Sequence, residues 1–170
     1  MWLYEKNYNN SVRFVLGEHG KRPLVCFGIN PSTAVPDDLD RTLSRVRNES
    51  KERRFDGWIM FNLYPQRATN PKDIHDKCKV RIHKLNKQHV KSIFLRYPDL
   101  TVWAAWGGII QKRPFLKDCL REIVAVMPAS VKWVHMGGLV DKKHPHHPLY
   151  LKKGLPFRSF DINNYLKVLS

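Results

Sequence analysis

Short apolar runs alternate along this chain with longer segments whose apolar residues recur every three or four positions. The short runs, bounded by turn residues, predict strands over residues 12–16, 24–29, 58–63, 100–106 and 131–135. The longer segments predict helices over residues 40–54, 80–97, 115–127 and 161–169. Because strands and helices alternate, the pattern predicts a mainly parallel sheet with helices on both faces.

The predicted fold class is therefore α/β: a three-layer αβα sandwich whose central, mainly parallel sheet has about four strands. The turn residues of segment 17–23 further predict an N-terminal hairpin that joins the first two predicted strands. The chain of 170 residues has no repeat, linker or low-complexity tract, so we expect one domain over residues 1–170.

The composition bounds the cellular setting. No apolar run approaches the length of a membrane span, and residues 1–6 lack the basic-then-apolar layout of a signal peptide. We therefore expect a cytoplasmic protein with no membrane partner, and a monomer. Three cysteines without a CxxC pair, Cys26, Cys78 and Cys119, argue against a disulfide framework or a cysteine zinc site. Cys26 and Cys119 are expected in the core.

The charge balance indicates the partner. Lys and Arg total 30 against 15 acidic residues, which gives a net charge of +15. Such an excess favours a polyanion, and nucleic acid is the first candidate because cations that neutralise phosphates release counterions. Dense Lys and Arg over residues 41–54 and 77–91 favour a polymer ligand. A basic surface that is only solvated is the alternative.

A polar turn comes after the predicted strand 24–29. Pro31 holds Asn30 in an extended conformation, and the Asn30 amide can both donate and accept hydrogen bonds. Asn30 could therefore hold a water molecule or bind a substrate carbonyl. The alternative is a turn in which Asn30 satisfies the local backbone and Ser32 or Thr33 caps the next segment of the chain.

Two further strand ends carry polar or glycine residues. Asn62 is a polar residue in an apolar strand, so it either ties down a loop or binds a ligand. Arg67 and Thr69 could contact phosphate, or could be a surface arginine and a helix cap before a proline. Gly107 and Gly108 permit the close approach of a ligand or of a helix.

The histidine-rich segment 144–149 suggests a metal, but we predict none. Pro145 and Pro148 prevent a helix that would present two histidines on one face, and no acidic or cysteine set completes a tetrahedral site. The prolines instead stiffen a loop that can hold one imidazole towards a developing negative charge. Leu149 and Tyr150 would then form an apolar wedge.

An acidic cluster precedes the first predicted helix. Asp37, Asp38 and Asp40 could bind Mg²⁺ or supply a general base. Acidic residues also complement the dipole at a helix start, and we favour that interpretation.

These motifs resemble those of known families. The segments 28–34, 62–71, 105–107 and 144–151 together look like a family of uncharacterised bacterial and phage proteins, named only as a domain of unknown function. More distantly, segments 28–31, 62–69 and 144–149 are similar to three motifs of the uracil-DNA glycosylase superfamily, in its mismatch-specific branch. Ser32 stands where that branch has glycine, and the late histidine loop is longer.

The glycosylase resemblance implies a uracil-DNA-glycosylase-like fold and hydrolysis of an N-glycosidic bond in DNA, in repair or modification, without a cofactor. Asn30 would position the attacking water, His144 or His147 would stabilise the departing base, and Leu149 would enter the duplex. Asn62 would read the base edge. Tyr64 and Phe61 are candidates for stacking on the base.

The motifs and the resemblance together make Asn30, His147 and His144 the candidate catalytic residues. The candidate substrate-binding residues are Gly28, Ile29, Pro31, Ser32, Asn62, Tyr64, Arg67, Thr69, Gly107 and Leu149. The alternatives are a nucleic-acid-binding module that lacks catalysis, a hydrolase or transferase acting on a free nucleotide, and a metal hydrolase that uses the three histidines.

Overall fold

A computed structural model describes residues 1–169, so Ser170, the last residue of the predicted domain, lies outside the described residues. Within that range the strands are β1 (Trp2–Lys6), β2 (Arg13–Glu18), β3 (Leu24–Gly28), β4 (Trp58–Asn62), β5 (Thr101–Ala104), β6 (Lys132–Met136), β7 (Leu139–Val140), β8 (His144–Pro145) and β9 (Phe157–Ser159). The α-helices there are α1 (Arg41–Glu52), α2 (Val80–Arg96), α3 (Phe115–Ala125) and α4 (Ile162–Val168). Short 3₁₀ turns cover Pro71–Asp73, Gly107–Gln111 and Pro148–Tyr150.

The fold is mixed α/β around a central sheet. In the described chain this sheet has seven strands in the order β1-β2-β4-β3-β5-β6-β9. The four inner strands β4, β3, β5 and β6 are parallel, and the outer strands β1, β2 and β9 are antiparallel to their neighbours. The prediction of a mainly parallel core is confirmed, but the prediction of about four strands is wrong. β1 and β9 are not predicted from apolar runs, because they are half exposed and carry charged residues.

The N-terminal hairpin joins other strands than predicted. β2 pairs with β1, whereas β3 pairs in parallel with β4 and β5. Gly17 and Glu18 belong to β2, and residues 19–23 form a connection across β4, where the backbone amides of Lys21 and Arg22 donate to the carboxylate of Asp56 at 2.9 and 2.7 Å. A hairpin would have left one side of the fully buried strand β3 without its parallel neighbour β4.

Each face of the sheet carries a hydrophobic cluster. Leu43 and Val46 of α1 pack on one face, against residues of β3 and β4 that include Cys26. Helices α2, α3 and α4 cover the other face, where Cys119 is buried. Cys26 and Cys119 are therefore core residues, as predicted. No helix within residues 1–169 is both long enough and apolar enough to cross a membrane.

An ion-pair cluster fixes the chain that follows the histidine loop (residues 144–149) onto α1. Glu49 is 2% exposed and accepts hydrogen bonds from Arg45 at 2.8 Å and from Arg53 at 3.0 Å. Arg45 also donates to the carbonyls of Leu151 and Lys152, at 3.0 and 2.9 Å. The two arginines thus join helix and loop because one buried carboxylate orients both of them.

Replacing Glu49 should therefore loosen this junction. We expect Glu49→Ala to lower the free energy of unfolding by about 3 kcal/mol, since it leaves two partly buried guanidinium groups without their carboxylate. Glu52→Ala, an exposed position on the same helix, is the matched control and should change it by less than about 0.5 kcal/mol. Urea denaturation measures both values, and equal effects would contradict the assignment.

Candidate functional site

A cavity of about 450 Å³ lies where the parallel strands β3 and β4 end, beside the N-terminal end of α1. We call it the strand-end pocket, and its size is typical of small-ligand sites. Its walls come from β2, β3, β4, the turn after β3, the start of α1, the segment 68–71 and the histidine loop. Nine of the candidate site residues line it: Gly28, Ile29, Asn30, Pro31, Ser32, Asn62, Thr69, His147 and Leu149.

A second cavity, of about 590 Å³, lies between α3, β6 and the start of α4. Its walls are mostly apolar side chains such as Val124, Met127 and Trp133, and none of the candidate site residues lines it. We therefore place the candidate site in the strand-end pocket, where polar side chains from distant segments meet.

The Asn30 amide is oriented by the backbone around it. Its nitrogen Nδ2 donates to the carbonyls of Ala68 at 2.7 Å and Pro31 at 3.1 Å. Because only the amino group can face these carbonyls, the orientation of the amide is determined. Oδ1 accepts no hydrogen bond from the residues that the structure describes. Asn30 thus satisfies the local turn and still offers an acceptor for a ligand.

Asn62 is the most deeply placed amide of the pocket. It is 2% exposed, and its Oδ1 has no hydrogen-bond partner among residues 1–169. Gly28 of β3 lies opposite Asn62 in the parallel register. A Cβ at Gly28 would lie 3.0 Å from Nδ2 of Asn62 and 2.8 Å from Cε of Met60. Glycine at position 28 therefore leaves room for a buried amide whose oxygen is free for a ligand.

His147 presents a donor to the pocket. The backbone amide of Leu149 donates to its Nδ1 at 3.3 Å, so the neutral ring carries its proton on Nε2. Burial lowers the pKa of His147, against the opposing charge of Asp40. At neutral pH the ring is accordingly an uncharged N–H donor. The Tyr150 ring lies 5.6 Å from it, between centroids, at the rim of the pocket.

His144 occupies a different environment. It is completely buried away from the pocket, with Nδ1 2.9 Å from the Tyr165 hydroxyl and Nε2 2.7 Å from Nε2 of Gln111. Burial lowers its pKa as well. The structure therefore places His147 at the pocket and His144 in the support of the loop, a distinction that sequence spacing does not make.

Three other candidates lie behind the pocket wall. The buried Tyr64 hydroxyl contacts Nδ1 of His75 at 2.8 Å, and burial raises the pKa of Tyr64 to about 12. Arg67 donates to the carbonyls of Ser32 and Ala34 and so braces the turn after β3. Gly107 has a φ of +65° and lies behind the backbone of His147.

Phe61, the other candidate for stacking on a base, belongs to the hydrophobic cluster on the opposite face of the sheet from α1. The aromatic ring at the pocket is that of Tyr150. Asn62 comes directly after Phe61 in β4, and successive side chains of a strand point to opposite faces. Asn62 and Phe61 therefore cannot both face the strand-end pocket.

Sequence reasoning missed Arg13. This side chain lines the pocket and is 1% exposed, and burial together with the charge of Arg67 lowers its pKa to about 10. An arginine inside an apolar strand segment was the available signal. Asp40 also lines the pocket, and its carboxylate accepts from the Leu43 amide at 2.9 Å, so the helix-start interpretation holds for Asp40. Asp37 instead accepts from Nε1 of Trp2 at 3.1 Å. No group of three or more potential metal ligands occurs within residues 1–169.

Comparison with known families adds one match. The model of a family described as a protein of unknown function, DUF1643, matches residues 13–149. The chain belongs to this family. The DUF1643 match includes Arg13, Asn30, Asn62 and His147, and it ends at Leu149 on the pocket rim. No curated protein and no solved structure matches the chain.

The different environments of His144 and His147 predict different stabilities for their variants. His144→Ala should lower the free energy of unfolding by about 3 kcal/mol, because it opens a buried cavity and removes a hydrogen-bond partner of Tyr165. His147→Ala should cost less than about 1 kcal/mol, because His147 is partly exposed. Urea denaturation compares the two, and an equal or inverted order would contradict the placement.

Mild acid should destabilise the protein. Burial lowers the pKa of a set of histidines below the ordinary value of 6.5: His75, His83, His89, His135, His144 and His147. Below pH 6.5 these rings take up protons more readily in the unfolded chain, so stability falls as the pH decreases from there. Above that value they contribute no pH dependence. Unfolding midpoints measured at intervals from about pH 8 to pH 5 test this, and a flat profile would contradict it.

Proposed function

We propose that this protein binds DNA, receives one nucleobase in the strand-end pocket and hydrolyses its N-glycosidic bond. The observation that supports this most is the convergence of Asn30, Asn62 and His147 in one cavity, from segments up to more than a hundred residues apart. On this proposal the mixed α/β fold is a relative of the uracil-DNA glycosylase fold. A base reaches such a pocket only when it is turned out of the strand.

In the proposed reaction the bond between C1′ and the base nitrogen breaks, and its electron pair leaves with the base. The oxygen of a water molecule then forms the new bond to C1′. One proton of that water passes to the departing base, and the sugar keeps the hydroxyl. The neutral Asn30 amide orients the water through Oδ1 but cannot accept its proton. Bond breaking must therefore lead, and water attack comes after it.

His147 stabilises the charge that develops on the base. Its Nε2–H donates to a base oxygen, and a preorganised donor of this kind contributes roughly 3–4 kcal/mol to the transition state. Asn62 selects the base, because its free Oδ1 accepts a hydrogen bond from an N–H on the base edge. A base that offers no N–H there leaves this buried oxygen unpaired and binds less well.

The rim and the charge of the protein suit DNA. Leu149 and Tyr150 are 43% and 77% exposed beside the pocket, where apolar side chains can fill the space that a turned-out base leaves. Arg41 is exposed at the start of α1 and also lines the pocket. With a net charge of +15, non-specific phosphate contacts offset part of the energy of unstacking.

The test is incubation with duplex and single-stranded DNA that carries uracil, hypoxanthine, hydroxymethyluracil or mismatched thymine, with detection of abasic sites afterwards. We expect release of at least one of these bases. Asn30→Ala and His147→Ala should each lower the single-turnover rate about 100-fold or more. His146→Ala is the matched control, because His146 neighbours His147 in sequence but does not line the pocket.

DNA binding that weakens steeply with salt, without any abasic product on this panel, would contradict hydrolysis and favour the non-catalytic module. Turnover of free nucleotides with little affinity for DNA would favour the small-substrate alternative. Loss of activity in a chelator would favour a metal enzyme. Equal rates for the wild type and both pocket variants would remove the proposed roles of Asn30 and His147.

A further inference from the structure

Arg13 is a buried cation that the protein itself does not satisfy. Its side chain is 1% exposed and lines the strand-end pocket. NH1 donates to the carbonyl of Ala34 at 3.1 Å, while Nε and NH2 have no hydrogen-bond partner in the described chain. A guanidinium group is protonated at neutral pH, so two charged donor nitrogens are left for a ligand.

The neighbours of Arg13 do not neutralise it. No carboxylate within residues 1–169 forms an ion pair with Arg13. Arg67 donates to the same carbonyl of Ala34, at 3.2 Å, which brings a second positive charge close. The Asp40 carboxylate attracts Arg13 but forms no ion pair with it, and its Oδ1 accepts a hydrogen bond from the Leu43 amide at the start of α1. Burying a charge without a partner is unfavourable, so this arrangement is better suited to a bound anion than to an empty pocket.

The start of α1 adds to the positive potential in the strand-end pocket. Arg41, Thr42 and Leu43 line the pocket, so the positive end of this twelve-residue helix faces the space in front of Arg13. A helix N-terminus favours negative charge nearby. Arginine, for its part, binds phosphate oxygens through two nitrogens at once. The unpaired nitrogens of Arg13 are evidence independent of the helix, because Arg13 belongs to β2.

We infer that the strand-end pocket binds a phosphate group of its nucleotide as well as the base, and that Arg13 holds this phosphate against the start of α1. The inference rests on the proposed function, since the nucleotide is the ligand proposed there. Asn62 and Asn30 would contact the base and the water, while Arg13 determines that the ligand is a phosphorylated nucleotide. The phosphate is that of a turned-out nucleotide in DNA or that of a free nucleotide, and the experiment separates the two.

The experiment measures binding by calorimetry and thermal unfolding. The ligands are inorganic phosphate, the common deoxynucleosides, their 5′-monophosphates and a five-nucleotide DNA strand. We expect the wild-type protein to bind phosphorylated ligands roughly tenfold or more tightly than the matching nucleosides, as a charge-assisted hydrogen bond implies. Arg13→Met should remove that preference. Arg22→Met removes the same charge at the opposite end of β3 and should retain the preference.

A free nucleotide and a phosphate within DNA predict different ligand preferences. Preference for monophosphates over the DNA strand indicates a free nucleotide, and Arg13-dependent binding of the strand alone indicates a phosphate within DNA. Either pattern supports the inference. Binding that is equal in the wild type and Arg13→Met, or no binding of any ligand by the wild type, overturns it.

The stability of the free protein provides a second measurement. A cation retained for a ligand predicts that Arg13→Met unfolds at the wild-type temperature or above it in the absence of phosphate. An arginine that only braces Ala34 predicts a lower unfolding temperature and an unchanged response to phosphate, which would overturn the inference. Phosphate binding does not require hydrolysis. If no base is released but phosphate binding depends on Arg13, the proposed hydrolysis is refuted and the phosphate site is retained.

Discussion

The pairing of Gly28 with Asn62 is the constraint on which the candidate site depends. β3 and β4 lie in parallel, and this register places a residue without a side chain beside a buried amide at the ends of both strands. Any Cβ at position 28 would crowd Met60 and Asn62. The turn after β3 can then pass over the amide, with Asn30 bound to the carbonyl of Ala68 in the segment after β4. The pocket is therefore a direct consequence of strand order.

Around this pair, buried polar atoms lack partners, as do a few others in the described chain, including Nε1 of Trp103 and Nδ1 of His135. Glu49 holds two arginines, and those arginines hold loop carbonyls. By contrast, Asn62 and Arg13, two residues that line the strand-end pocket, keep Oδ1 and two guanidinium nitrogens without partners. Local sacrifice of stability at a preformed polar cavity is typical of binding sites, because the ligand supplies the missing partners.

Much of this architecture is readable from the sequence, and the exceptions have physical causes. The inner strands and the long helices are predicted by apolar runs and helical spacing, and the resemblance to glycosylases implies that Asn30 shares a site with His144 or His147. The edge strand β1 is not predicted, because it is half exposed. Spacing cannot separate His144 from His147 either, since burial against Tyr165 is a tertiary property. Arg13 reads as an ordinary interruption of a strand until its missing partners are seen.

On the proposed function, a base leaves the DNA strand and enters the strand-end pocket. The fluorescence of 2-aminopurine placed next to the target base, recorded as protein is added to saturation at low salt, tests it most directly. We expect the fluorescence to increase clearly, because 2-aminopurine loses its stacking partner when the neighbouring base is turned out. The increase should be lost when Leu149, exposed at the rim, is replaced by alanine. Saturated binding with unchanged fluorescence on every base of the panel would contradict the entry of a base into the pocket.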